Sequence, residues 1–189
     1  MDDNKMIVSE NSEYEELISR VGEVLEQGRR NVVQAVNSAM VRTYWEIGRT
    51  IVEYEQNGHE KAEYGSDVLN TLSRDLTDRF GKGFSRSNVF YIRKLYLTYE
   101  KVQTLSELLS WSHYIELLKI EDPLERSFYE KECVSSRWGV RELKRQMKSM
   151  LFQRIALSKD KDEVLKLAKE GQVIEKPEDI LKEPYVLKL

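Results

Sequence analysis

FGKGFSRSNVFYIRKLY, residues 80–96, sets two glycines and four cations among aromatic residues, and its reading decides the fold. Gly81 stands where a helix ends on a left-handed residue. Ser85 is placed to cap the next helix, its hydroxyl accepting from the amide of Ser87 or Asn88. Phe84 and Val89 fall at the two positions of a hydrophobic staple. A helix, a tight glycine-containing turn and a second helix opening on Arg86, Ser87 and Asn88 make a helix-turn-helix pattern. In such modules the first residues of the second helix meet base edges and phosphates, and its amides favour anions. Lys82 and Ser85 in the turn, Arg86, Arg93 and Lys94 as cations, and Asn88 as a base reader are the candidate DNA contacts. Val89, Ile92, Leu95, Tyr96 and Tyr99 would face the core. The plain alternative is packing alone, because any two antiparallel helices need a turn. A nucleotide loop is excluded: Gly81-Lys82-Gly83 has the wrong order for a P-loop and follows a helix, not a strand.

Outward from this turn the chain reads as all-α. Only nine glycines and three prolines punctuate 189 residues, too few for the frequent turns of a strand-rich fold. From Glu13 to about Gln56, apolar and small residues recur at three- and four-residue steps: Leu17, Val21, Val24, Gly28, Val32, Ala35, Ala39, Thr43, Ile47, Ile51 and Tyr54. Gly22 and Gly28 are candidate breaks, and Asn57-Gly58 a stop. Unbroken, this run would be about 66 Å long. It is either an intramolecular hairpin or a seam shared with a second subunit, so a homo-oligomer through residues 13–56 is one expectation. A helix from about Glu63 to Phe80 precedes the quoted turn. Further helices are expected after LSWSHY (109–114), from Asp122-Pro123 with Glu125 at its third position, and from near Trp138 to about Leu157. Residues 1–12 read as a disordered tail, 13–157 as the helical domain, and 158–182 as a weak helix and linker.

Net charge is only -3, but charge is sorted along the chain. Residues 1–27 balance to -6, 72–101 to +4, 102–136 to -4 and 137–161 to +6, so two basic islands alternate with acidic stretches. The second island repeats the device of the first. Gly139 can cap a helix with Glu142 reaching back to it, and Trp138 and Leu143 fall at staple positions. Behind that cap Arg141, Lys144, Arg145 and Lys148 share one face, with Leu143, Met147, Met150 and Leu151 on another. A solvated surface face would alternate signs, whereas this one has a single acid, Glu142. Paired islands of this kind point to a phosphate-binding surface and to double-stranded DNA as partner.

Catalysis fits poorly. His59 and His113 are the only histidines, no cluster has metal-ligand spacing, and no cofactor is implied. His113 reads as a capping or packing group. Cys133, the single cysteine, excludes an internal disulfide and fits a reducing cytoplasm. No apolar run reaches the ~20 residues of a membrane span.

YWEIGRTIVE (44–53), AEYGSDVLNTLSRDLTDRFGKGFSRSNV (62–89), LSWSHYIELLKIEDPLERSFYEKE (109–132) and RWGVRELKRQM (137–147) together make the chain resemble the N-terminal domain of the bacterial YhcG-type proteins. The resemblance implies a helix-turn-helix-like, winged-helix-related domain preceded by long helices. In the family it is followed by a PD-(D/E)XK nuclease domain. It also implies service to a nuclease in DNA-level defence or mobile-element biology. EPYVLKL (183–189) resembles the first residues of that second domain, so no nuclease residue can be assigned to this chain, which is expected not to be an enzyme. Family members often carry arginine where Lys82 and Ser87 stand here, and serine at the cap that Gly139 occupies.

Overall fold

The computed structural model describes residues 3–56, 62–157 and 160–171, and every regular element among them is a helix. In chain order these are α1 (Asp3–Gln56), α2 (Ala62–Phe80), α3 (Arg86–Thr98), a 3-10 turn at Val102–Thr104, α4 (Trp111–Leu117), α5 (Pro123–Ser135), α6 (Val140–Lys148), α7 (Leu151–Ala156) and α8 (Lys161–Glu170). The Asn57-Gly58 stop, His59, residues 1–2 of the expected tail and the EPYVLKL segment lie outside the described residues.

Neither Gly22 nor Gly28 breaks α1, which starts ahead of Glu13 and runs on for 54 residues. The hairpin reading is therefore overturned: the periodic run never folds back. Each glycine costs about 1 kcal/mol against alanine, which the surrounding good helix formers offset. Only the last third of α1 joins the core. Val41, Trp45, Ile51 and Val52 are buried, and Gly48 lets α1 cross α3 at backbone contact. A Cβ at Gly48 would overlap the Ile92 carbonyl oxygen and stand 3.1 Å from Tyr96 Cβ. Trp45 Nε1 donates to Tyr99 O at 2.6 Å, closing the end of α3 against α1.

The main core gathers Leu95, Tyr114, Leu117, Leu118, Phe128, Tyr129, Leu143 and Phe152 around α3–α7. Each such side chain contributes about 1.5–3 kcal/mol on leaving water. Asp122 caps α5 by accepting from Leu124 N at 2.8 Å, with Pro123 at the first helical position as expected. The helix expected from Trp138 to Leu157 is instead two, α6 and α7, divided at left-handed Met150 (φ 55°). The Tyr129 hydroxyl satisfies the interrupted backbone, donating to Gln146 O and accepting from Phe152 N, both at 3.3 Å. Met150 accordingly turns outward, leaving Leu143 and Leu151 to the core. The weak helix expected beyond Leu157 is α8; it packs on α5, with Leu167 and Ala168 buried and Ser127 Oγ donating to Ala168 O at 2.6 Å.

α5 ends in a Schellman turn whose left-handed residue is Arg137 (φ 52°), with Trp138 N donating to Cys133 O at 3.1 Å. Arg137→Gly should therefore stabilise the fold by about 1 kcal/mol, read as a rise in Tm. Gly48→Ala should lower Tm despite the helix preference of alanine, since overpacking costs about 1–3 kcal/mol. Gly22→Ala, where a Cβ meets nothing within 4 Å, should leave Tm unchanged or raise it.

Candidate nucleic-acid interface

The quoted turn is built as its residues dictate. Gly81 (φ 84°) and Gly83 (φ 139°) both take conformations that side-chain-bearing residues rarely adopt. Ser73 Oγ of α2 donates to Phe84 O at 2.7 Å and holds the exit of the turn. Ser85 Oγ accepts from Asn88 N at 3.3 Å, capping α3. Phe84 packs on the small cluster of Ile51, Val89 and Ile92, which completes the staple.

Asn88 is placed differently from a base reader. Its amide nitrogen donates to Gly83 O, and its amide oxygen accepts from Trp111 Nε1 at 2.8 Å. Both polar ends are thus spent on the fold: Asn88 locks the turn and ties α3 to the start of α4. Arg93 is likewise engaged, its Nε donating to both Glu55 oxygens at 2.8 and 2.9 Å across the α1–α3 seam. Lys82, Ser85 and Arg86 are exposed and Lys94 is half-buried. Arg86, Ser87, Phe90, Tyr91 and Arg93 line a cleft of about 570 Å³ with Glu55 and Leu69.

The second island is tied to the first through α4. His113 Nδ1 accepts from Ser110 N at 3.2 Å, and its Nε2 donates to Trp138 O at 3.0 Å, one residue before the Gly139 cap of α6. The capping role expected of His113 is therefore present, and it extends to bridging two elements. The contacts Asn88–Trp111 and His113–Trp138 hold the starts of α3, α4 and α6 as one connected assembly.

Beyond its cap, α6 exposes Arg141, Lys144, Arg145 and Lys148 on one face, as the spacing predicts. Its charge is less pure than the helix alone indicates. Glu116 of α4, mostly buried, takes Lys119 at 2.8 Å and Lys144 at 3.6 Å. Glu142 does not close a capping box; its carboxylate receives Arg145 at 2.6 and 2.9 Å and Gln146 at 2.7 Å. The bond from Arg145 holds the Glu142 carboxyl below the usual carboxylate range. Among the described residues, the expected cations with no acid in ion-pair reach are Lys82, Arg86, Lys94, Arg141 and Lys148. Arg137, to which the sequence pattern assigned no role, is also exposed.

Cys133 is buried, and burial beside Glu130 and Glu132 pushes its thiol up to about 12, which leaves it an inert core residue. Among the described residues no group of three or more His, Cys, Asp or Glu side chains is arranged to hold a metal ion, and no helix is long and apolar enough to cross a membrane.

Burial lowers the pKa of His113 from the usual 6.5, so the folded chain keeps it neutral where the unfolded chain takes up a proton. That contribution is complete above 6.5 and is lost as pH falls below it. The Tm of the protein should therefore fall between about pH 7 and about pH 5 more steeply than that of His113→Ala, which a pH series of thermal melts measures.

A curated protein of Escherichia coli (strain K12) named "Putative nuclease YhcG" is 32% identical over an alignment of 206 positions. The alignment takes in 92% of this chain and 55% of that protein, so the chain spans about half the length of the relative. No solved structure matches. The family model described as the DUF1016 N-terminal domain matches residues 20–154, from within the first half of α1 to within α7, and the chain belongs to that family.

Proposed function

We propose that this domain binds the phosphate backbone of double-stranded DNA and targets a nuclease of the kind named in its relative. The observation that carries the reading is the connected assembly of α3, α4 and α6 starts, which presents two basic helices on one rigid frame. Phosphate contacts need cations that are exposed and not already neutralised. Arg86 and Lys82 at the turn and Arg141 and Lys148 on α6 meet that need, and half-buried Lys94 on α3 joins them as a cation without an acid partner. Ser85 contributes through the cap that positions Arg86, and Asn88 through the lock that positions the whole turn. Arg93, Lys144 and Arg145 are shared with Glu55, Glu116 and Glu142, and add charge to the face at reduced strength. The arrangement favours backbone contact over sequence reading, since Asn88, the expected base reader, spends both polar ends within the fold.

A second reading draws on α1. From Glu13 to Val36 every residue is exposed except half-buried Gly22, and the apolar stripe of that segment is bare. This favours a protein-interaction role for the arm, compatible with DNA binding because helix-turn-helix proteins commonly read DNA as dimers.

Fluorescence anisotropy with a labelled duplex at low salt tests the first reading. Arg86→Glu, Arg141→Glu and Lys148→Glu should each weaken binding severalfold. Lys144→Ala should cost less than Lys148→Ala, and Glu116→Gln should strengthen binding by freeing Lys144. Absence of binding at low salt, or equal affinity for the chain carrying all three reversals, would contradict the proposal.

A further inference from the structure

On a helix of 3.6 residues per turn, most of the exposed apolar side chains of the arm fall on one stripe. Ile18, Val21, Leu25, Gly28, Val32, Ala35 and Ala39 alternate steps of three and four, the spacing of a coiled-coil seam, with Leu17 and Val24 beside it. Val24 is 72% exposed and Val32 64%, so nothing among the described residues covers this seam. The same geometry puts the stripe roughly opposite Val41, Trp45, Gly48 and Val52, the face that packs on the domain. A partner helix can therefore lie along the arm without meeting the domain that carries it. An apolar stripe of this length held in water is the mark of an interaction surface.

Charge and side-chain size identify the partner. Residues 13–26 carry five glutamates and one arginine, whereas 27–42 carry three arginines and no acid. The seam is bulky in the first segment, with Tyr14, Leu17, Ile18, Val21 and Leu25, and slim in the second, with Gly28, Ala35 and Ala39. A second copy laid parallel would set acid against acid and glycine against glycine. Laid antiparallel about Gln27–Gly28, it sets glutamates against arginines and bulky residues against small ones. The Arg29–Glu26 pair within one arm does not compete strongly, since both side chains are more than half exposed and such pairs contribute little. Arg42 is engaged by Glu107 of its own chain, so Arg29 and Arg30 are the cations that the partner meets.

We infer that two copies of this chain pair antiparallel through the α1 arm, with residues 13–26 of each against 29–42 of the other. This rests on the interaction reading of α1 and adds the partner and its direction. Pairing sets the two domains at opposite ends of a shared rod, each with its basic face free.

Sedimentation velocity on the full chain, with and without Val21→Asp and Leu25→Asp, tests the pairing. Both residues are exposed, so the melting of the domain monitored by circular dichroism should be unchanged while dimer affinity falls at least about tenfold. Spin labels on Glu16→Cys then give the direction, the buried Cys133 remaining unlabelled. Antiparallel pairing predicts a separation of about 35 Å between labels, from 1.5 Å per residue on either side of the centre. A monomer would overturn self-association itself. A dimer indifferent to the two aspartates would overturn the arm as its seam. A label separation below about 20 Å, set against the same 1.5 Å rise, would overturn the direction and leave the pairing standing.

Discussion

The crossing of α1 over α3 at Gly48 is the contact on which the rest of the structure depends. With no side chain there, the α1 backbone reaches the Ile92 carbonyl, and that approach sets the spacing for every bond between the two helices. Trp45 reaches Tyr99 O at one end of α3, and Glu55 reaches Arg93 toward the end of α1. Tyr44, one turn before Gly48, packs against Trp111 with ring centres 4.9 Å apart and planes tilted by 56°, and Trp111 in turn donates to Asn88. The position of the helix-turn-helix is thus fixed from behind by α1 and from the side by α4. Its turn chemistry is local, but its orientation is tertiary.

This division explains what was legible in the sequence. The Gly81 stop, the Ser85 and Asp122 caps and the Phe84–Val89 staple all act within a few residues, and the structure holds each of them. The break at Met150 was not legible. Leu143, Met147, Met150 and Leu151 fit one stripe whether or not the chain turns, and the hydroxyl that permits the turn belongs to Tyr129 on another helix. The unbroken α1 was half legible: its period was plain, but glycine marks a candidate break without deciding one. Among the site residues, the exposure of Arg141, Lys144, Arg145 and Lys148 follows from spacing alone. The engagement of Asn88, Arg93 and Lys144 does not, because Trp111, Glu55 and Glu116 lie far from them in sequence and arrive only through packing.

Those long-range partners also reshape the electrostatics. Counting charge along the chain gives two strongly basic islands, yet Arg93 and Lys144 are shared with acids brought from other elements and Arg145 with Glu142 of its own helix. What remains is a sparser set of exposed cations, held on helices whose starts are bonded together. Sparse, fixed charges of that kind suit a repeating polyanion better than a compact anion, since each cation can meet a separate phosphate. The His113 bridge to Trp138 and the Trp111–Asn88 bond together tie the starts of α3, α4 and α6, the frame on which the proposed face would act as one surface.

The salt dependence of duplex binding measures this most directly, because the slope of log affinity against log salt counts released counterions at about 0.9 per phosphate. The five proposed phosphate contacts, Lys82, Arg86, Lys94, Arg141 and Lys148, predict a slope of roughly -3 to -5, reduced by about one on replacing Arg141 or Lys148 with alanine. A slope near zero, or one that neither replacement changes, would contradict the account.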